Sequence, residues 1–185
     1  GRQLSIMMAR FPGGNLFPVD MTDTTDWFCQ SICQIKADLR IKWVDSWRKS
    51  DTPITMSRNE CVRVAQGRGA DLLVMIDNDM SPDFLLGKDK YAKPFLSSTL
   101  DFIFKHYDHG PCVVASPYCG PPPHENCYVF VWRNFQSDNP NPDLRLDQFS
   151  REEAAIRTGF EEVAALPTGL IMFDMRAFQK LEEPF

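Results

Sequence analysis

The most informative stretch of the chain is Leu72-Leu-Val-Met-Ile-Asp77-Asn-Asp79, in which five apolar residues are followed by an acidic triplet. A run that is apolar at every position is typical of a central parallel β-strand, because such a strand is covered on both faces. Open α/β sheets bind their ligands at the carboxyl edge of their parallel strands. The stretch therefore predicts a buried strand that brings Asp77 and Asp79 to a binding site.

The two carboxylates suggest a cation site. In an extended chain residues i and i+2 point the same way, so we expect Asp77 and Asp79 to lie about 6–7 Å apart at the backbone. Carboxylates so placed repel each other unless a cation or a proton lies between them, and oxygen ligands completed by a diphosphate suit Mg²⁺ or Mn²⁺. The alternative is an ordinary acidic turn. The nearby Asp83 is expected to tolerate substitution by alanine.

Short apolar runs alternate with helical stretches along the chain, which predicts an α/β fold with a mainly parallel central sheet flanked by helices. The predicted strands cover residues 5–9, 40–44, 72–76, 112–115, 128–132 and 170–173, with another near Val163. The predicted helices cover residues 25–37, 55–67, 90–106, a short segment from Arg151 and a closing segment to Leu181. Residues 134–147 are polar and are predicted to form a mobile loop.

The start of the second predicted helix has two interpretations. Ser57 and Glu60 match a capping box, with Ser57 as the N-cap. Thr52 and Pro53 offer an earlier start.

Composition indicates a protein of one domain without a general attraction to nucleic acid or anionic membranes. The chain has 185 residues and a net charge of −5. A phosphate ligand remains compatible with this charge, because one metal ion can reverse the local field. No apolar run approaches the roughly 20 residues that span a bilayer, and we expect a cytoplasmic protein.

The six cysteines form no regular disulfide framework, and we expect reduced, mostly buried thiols. Cys119, His124 and Cys127 have the spacing of a zinc half-site, but the sequence offers no clear fourth ligand.

Residues 55–83 resemble inverting glycosyltransferases of the GT-A fold, especially those of the family 2 type. The shared pattern is a helix opening on Ser-Arg-Asn at residues 57–59, then Gly-Ala-Asp at 69–71, the apolar strand, the Asp-x-Asp motif and Pro82. Residues 163–181 resemble a later family segment with a Thr-Gly turn between two strands. The resemblance implies a GT-A fold over residues 1–185, with a donor-binding half over about 1–83 and an acceptor-side half over about 84–185.

The resemblance also implies roles for individual residues. Asp77 and Asp79 match the metal-binding pair, with Asp77 nearer the ribose of the donor. Arg58 matches an arginine that lies near the base and the phosphates. Asp45 matches an acidic residue that accepts a hydrogen bond from the uracil ring, which favours a UDP-sugar, although Ser-Trp-Arg at residues 46–48 replaces the usual small residues.

Three further residues complete the predicted site. Phe11 offers a ring for stacking on the base, although the first strand ends on Arg-Phe-Pro-Gly at residues 10–13 and not on the common family ending. Thr168 and Gly169 match the turn beside the acceptor sugar. Their alternative interpretation is an ordinary hairpin turn.

The function implied is a metal-dependent glycosyltransferase that binds a nucleotide-diphospho-sugar and transfers the sugar to an unknown acceptor. The metal ion and Arg58 would offset the charge that develops on the leaving diphosphate. Family members carry the catalytic base in an acidic segment after the closing helix. The chain stops at Glu182-Glu183-Pro184-Phe185, where that segment would begin, so we expect an incomplete acceptor side, no identifiable base and slow turnover.

Two other functions remain open. A non-catalytic module would keep the binding of the nucleotide-diphospho-sugar without transferring the sugar. A sugar-phosphate nucleotidyltransferase would carry a longer Gly-rich segment than Pro-Gly-Gly-Asn at residues 12–15.

Overall fold

The computed structural model describes residues 1–11, 18–49, 53–83, 86–88, 90, 92–119, 126–134, 144–179, 181 and 184–185. The chain forms two compact units. The first comprises Gly1–Val114 and Thr168–Phe185, and the second comprises Ala115–Pro167. All residues predicted to bind the donor or the metal belong to the first unit. The predicted division into halves near residue 83 stays a prediction.

The chain has a mixed α/β fold. Its strands are β1 (Leu4–Phe11), β2 (Ile41–Arg48), β3 (Leu72–Asp77), β4 (Val113–Ala115), β5 (Cys127–Asn134), β6 (Leu144–Phe149) and β7 (Leu170–Asp174). Its helices are α1 (Pro18–Lys36), α2 (Ile54–Gly67), α3 (Phe95–His106) and α4 (Arg151–Ala155). Two short 3₁₀ helices cover Tyr107–His109 and Met175–Phe178.

The central sheet has five strands in the order β2-β1-β3-β7-β4 and is mostly parallel. Strand β1 is parallel to both β2 and β3, whereas β7 runs antiparallel to β3. Strands β5 and β6 form a separate antiparallel pair. The predicted α/β class, with a mainly parallel central sheet and accompanying helices, is confirmed.

The sheet is covered on both faces, which explains why residues 72–76 are uninterrupted by polar side chains. Alternate residues of a strand point to opposite faces. One face packs against α1 and α3 in a buried cluster that includes Ile6, Met8, Trp27, Val74, Leu100 and Met172. The alternate residues Met7, Ala9 and Met75 are also fully buried, and α2 packs against β1.

The connections through α1 and α2 place the carboxyl ends of β1, β2 and β3 at one edge of the sheet. The register pairs Phe11, the last residue of β1, with Asp77, the last residue of β3. The strand pattern alone therefore brings these two predicted site residues together.

Several predicted boundaries are wrong. Helix α1 begins at Pro18 and not at residue 25. The earlier start was not predicted because the first part of the helix has no apolar residues at helical spacing. Thr24, which lies before the predicted start, is fully buried. Helix α2 begins at Ile54, and Ser57 lies inside it, since its N–H donates to the carbonyl oxygen of Pro53 (3.1 Å). The earlier start is therefore correct, with Pro53 as the N-cap, and Thr52 lies outside the described residues.

Other differences concern the second half of the chain. Helix α3 begins after Pro94 and not at residue 90, and the predicted closing helix is the short 3₁₀ segment Met175–Phe178. The predicted loop over residues 134–147 includes the start of β6, while residues 135–143 lie outside the described part. Near Val163 the described chain forms only an isolated bridge between Ala165 and Phe130.

None of the helices in the described ranges combines the length and the apolar character needed to cross a membrane.

Candidate functional site

The acidic triplet bends at the end of β3. The backbone N–H of Asp77 donates to the carbonyl oxygen of Gly169 (2.8 Å), and the N–H of Met80 donates to the carbonyl oxygen of Asp77 (3.3 Å). Asn78 and Asp79 thus occupy a turn, in which Asn78 is buried and Asp79 is exposed. The extended geometry predicted for residues 77–79 is wrong, because the chain turns directly after Asp77.

The carboxylate of Asp77 is held by Arg58 from α2. Nη2 of Arg58 donates to both carboxylate oxygens of Asp77, at 2.9 Å each. The Arg58 side chain is 10% exposed and that of Asp77 is 28% exposed. Burial raises the pKa of Asp77, the positive charge of Arg58 opposes this effect, and Asp79 adds to it. The site therefore contains a partly buried ion pair at the carboxyl edge of the sheet.

Arg58 also lies close to two rings and one carbonyl group. Its guanidinium carbon lies 5.9 Å from the ring centroids of both Phe11 and Phe185, within the range of cation–π contacts. Nη2 reaches the carbonyl oxygen of Thr168 at 3.4 Å. Among the described residues, the buried Nε–H of Arg58 has no acceptor, an unfavourable arrangement that a further acceptor would relieve.

Phe11 occupies the predicted position beside Asp77, but its ring is covered. The residue is 5% exposed, and its ring meets that of Trp47 edge-on with centroids 6.0 Å apart. Stacking of a base on Phe11 would therefore require the ring to become accessible.

Thr168 and Gly169 precede β7 and contact the same group of residues. The carbonyl oxygen of Gly169 accepts from Asp77, and that of Thr168 faces Arg58. We call Phe11, Arg58, Asp77, Thr168 and Gly169 the edge cluster. The structure brings these five predicted site residues together.

Asp45 lies apart from the edge cluster. The prediction that the second strand covers residues 40–44 and stops before Asp45 is wrong, because β2 continues to Arg48. Asp45 pairs with Met7, four residues before Phe11 on β1 and hence about 13 Å back along the strand. Its carboxylate forms an ion pair with Arg68 and accepts from the N–H of Ser46.

The end of β3 offers two carboxylates, those of Asp77 and Asp79, as candidate ligands for a divalent cation. Asp79 presents an exposed carboxylate next to Asp77. In the described ranges, no three His, Cys, Asp or Glu side chains form a metal-binding group. Mg²⁺ is commonly bound by one or two carboxylates together with substrate phosphates and waters. Asp77 and Asp79 would be the candidate ligands of such a site, and in this structure the Asp77 carboxylate is bound by Arg58.

Sequence reasoning missed the structural roles of Asp83 and Asn78. Asp83 accepts from the indole N–H of Trp27 (2.8 Å) and from the backbone N–H of Phe95 at the start of α3 (2.7 Å). Asn78 accepts from Nε of Arg10 (2.7 Å). These partners are distant in sequence, and the one sequence signal was Ser-Pro-Asp at residues 81–83, which is typical of a turn. In the structure Asp83 has a φ of 61°.

A polar groove of about 400 Å³ lies beside Asp83. Its lining comes from α1 and from residues 81–83, 86 and 94, and includes Asp26, Trp27, Gln30 and Ser81. No residue of the edge cluster lines it, so the groove is separate from the predicted donor site.

Comparison with known proteins adds information on the fold. No protein-family model matches the chain, and no curated protein matches it in sequence. Among solved structures, the chain is similar to the crystal structure of A197 from STIV, with a TM-score of 0.56 and 12% sequence identity. The similarity covers 96% of this chain and 69% of that chain. At that identity, the similarity shows that the two chains share a fold and gives no information on activity.

Proposed function

We propose that the protein is a metal-dependent glycosyltransferase of the GT-A type, which binds a nucleotide-diphospho-sugar and transfers the sugar to an acceptor. The observation that carries the proposal is the Arg58–Asp77 ion pair at the carboxyl end of β3, flanked by Phe11 and the Thr168–Gly169 turn. Ligand binding is expected at this edge of an α/β sheet. A UDP-sugar is the favoured donor on the sequence resemblance.

The two charged side chains would exchange partners when the donor binds. A diphosphate bound to Arg58 alone would leave the partly buried Asp77 without its partner. A cation bound to Asp77 alone would leave the buried guanidinium of Arg58 without its partner. Breaking one half of a buried pair is costly, whereas forming both new contacts together leaves each charge compensated. Cation and diphosphate are therefore expected to bind cooperatively.

Different residues would bind the cation and the phosphates of the donor. Asp77 and Asp79 would hold Mn²⁺ or Mg²⁺, which supplies positive charge near the leaving diphosphate. Arg58 would donate hydrogen bonds to the phosphates, and its buried Nε–H offers a further donor. The cluster around Arg58 would hold the donor in place and limit access of water to it.

A second candidate is a non-catalytic module that binds the nucleotide-diphospho-sugar. The Arg58–Asp77 pair favours it in one respect, because Asp77 is neutralised within the chain and needs no cation to be stable. No catalytic base is assigned, and the late carboxylates Glu182 and Glu183 lie outside the described residues. The module and the slow enzyme differ only in turnover.

The melting temperature tests the donor site. UDP, GDP, CDP and dTDP are each added with and without Mn²⁺. We expect UDP with Mn²⁺ to add about 2.7 kcal/mol of stability when the ligand is present at about 100 times its Kd, with much smaller effects of either alone. A melting temperature that no nucleotide moves in the presence of Mn²⁺ would rule out the donor site.

Turnover separates the two candidates. Release of UDP from UDP-sugars is measured on protein that passes the binding test. A slow release that needs Mn²⁺ supports the transferase, and no release above the rate without protein assigns the chain to the binding module.

A further inference from the structure

Cys119 and Cys127 face each other in the second unit. They pair in an isolated antiparallel bridge, and the N–H of Tyr128 donates to the carbonyl oxygen of Tyr118 (2.8 Å). Since Tyr118 precedes one cysteine and Tyr128 follows the other, this bond lies beside the pair. The cysteines therefore occupy a non-hydrogen-bonded position, in which opposite Cα atoms are about 4.5 Å apart and the side chains are close.

This position meets the geometric needs of a disulfide. Disulfide-bonded cysteines have Cα atoms about 4.4–6.8 Å apart, so this pair can close without movement of the backbone. The Cys119 thiol lies close enough to Cys127 to raise the pKa of that thiol. Both are free in this structure. The described residues include no third metal ligand beside them, and His124 of the predicted zinc half-site lies outside the described part.

We propose that Cys119 and Cys127 form a redox-sensitive pair, which a low-molecular-weight disulfide such as glutathione disulfide converts into an internal disulfide. The sulfur of Cys119 attacks one sulfur of the reagent, which forms a mixed disulfide and releases one glutathione thiolate. Cys127 then loses its proton, and its sulfur attacks Cys119 Sγ, which releases the second glutathione. Two protein thiols are oxidised to one disulfide, and one glutathione disulfide is reduced to two thiols.

Burial sets the order of these steps. Cys127 is 2% exposed within a small apolar cluster that includes Val129 and Phe149, whereas Cys119 is half-buried. Cys119 is thus the thiol that an external reagent reaches first. Burial, and then the neighbouring Cys119, raise the pKa of Cys127 to about 11. The thiolate is the attacking form, so ring closure should become faster as the pH rises toward that value.

The disulfide would close the ring formed by residues 119–127 and fix the start of β5 to the segment before it. A short closed ring restricts the unfolded chain, so oxidation should stabilise the second unit. The pair includes no residue of the edge cluster, and the inference does not depend on the proposed function.

The test uses the full chain with Cys29 and Cys33, the exposed cysteines of α1, replaced by serine to remove competing thiols. The protein is incubated with glutathione disulfide, alkylated and digested with trypsin. Cys112, Cys119 and Cys127 share one tryptic peptide, residues 106–133, and cleavage after Glu125 separates Cys119 from Cys127. We expect this peptide to carry one alkylated cysteine, Cys112. After cleavage at Glu125, its two fragments should stay joined until a thiol reductant is added.

Two matched variants control the assignment. Cys112→Ser should form the same internal disulfide, whereas Cys119→Ser should not form it and should lose the rise in melting temperature caused by oxidation. Three results would overturn the proposal. The first is a disulfide from Cys119 or Cys127 to another cysteine. The second is continued alkylation of both Cys119 and Cys127 after oxidation at high pH. The third is protection of the two thiols from alkylation that requires Zn²⁺ and is reversed by a chelator.

Discussion

Arg58 connects most of the candidate site, because it contacts Asp77, Thr168, Phe11 and Phe185 through one guanidinium group. If that group binds the donor diphosphate, Arg58→Ala should weaken UDP binding in Mn²⁺ by about 1.5–3 kcal/mol, or roughly 10- to 150-fold in Kd. Arg58→Lys keeps the charge and loses the planar fork, so an intermediate loss is expected. Isothermal titration calorimetry measures both.

Loss of stability must be separated from loss of binding in the Arg58 variants. Removing Arg58 leaves Asp77 partly buried without its partner, so the variant is expected to unfold at a lower temperature. The titration is therefore done well below that temperature. If a folded Arg58→Ala protein binds UDP with wild-type affinity, Arg58 contributes to stability through its ion pair with Asp77 and does not bind the donor.

Asp83 gives a prediction that differs from the expectation drawn from sequence. Its carboxylate accepts from Trp27 and from Phe95, and its φ of 61° is one that alanine adopts less readily than aspartate. We expect Asp83→Ala to lower the free energy of unfolding by about 2–4 kcal/mol, because two donors lose a charged acceptor. Urea unfolding followed by circular dichroism measures the change.

The matched control for Asp83 is Asp26, an exposed carboxylate on α1. Asp26→Ala should change the free energy of unfolding by no more than about 0.5 kcal/mol. Equal effects of the two substitutions would mean that the contacts of Asp83 add nothing to stability.

Strands and helices differ in how far their own residues predict them. Strand β3 is predictable because a strand covered on both faces must be apolar throughout. Strand β6 was missed because its sequence, Leu-Arg-Leu-Asp-Gln-Phe, is half polar and belongs to a separate two-stranded sheet. The capping box predicted at Ser57 occurs instead at Ser150 and Glu153, where the sequence pattern is the same.

The start of α4 gives a prediction on acid stability. Arg133 donates to both carboxylate oxygens of Glu153 (2.7 and 2.8 Å), and the N–H of Ser150 donates to the same side chain (2.8 Å). Arg133, followed by the Ser150 N–H, lowers the pKa of Glu153 below its ordinary value of 4.5. The stabilising contribution of Glu153 is therefore complete above about pH 4.5 and is lost as the pH falls through the lowered pKa.

Urea unfolding between about pH 6 and pH 3 checks this contribution. Glu153→Gln should be less stable than wild type at the upper end, and the difference should shrink as the pH falls. Glu162→Gln, at an exposed position, serves as the control and should change the free energy of unfolding by no more than about 0.5 kcal/mol. A difference between Glu153→Gln and wild type that does not change with pH would contradict the assigned cause.

For the whole molecule, the α/β class and the mostly parallel sheet were accessible from the alternation of apolar runs and helices. The resemblance to GT-A enzymes named five residues that meet in the edge cluster. Asp45 does not join them, because β2 continues beyond Asp45 to Arg48 in register with β1. The contact of Asp83 with Trp27 spans 56 residues of sequence, and only the folded chain reveals it.

The central claim is that the end of β3 holds a divalent cation together with a nucleoside diphosphate. Electron paramagnetic resonance measures it directly, because the signal of free Mn²⁺ falls when the ion binds. With UDP present, wild type and the Asp26→Asn control should remove far more free Mn²⁺ than UDP alone does, whereas Asp79→Asn should not. Equal loss of free Mn²⁺ in wild type and Asp79→Asn, with UDP present, would contradict the claim.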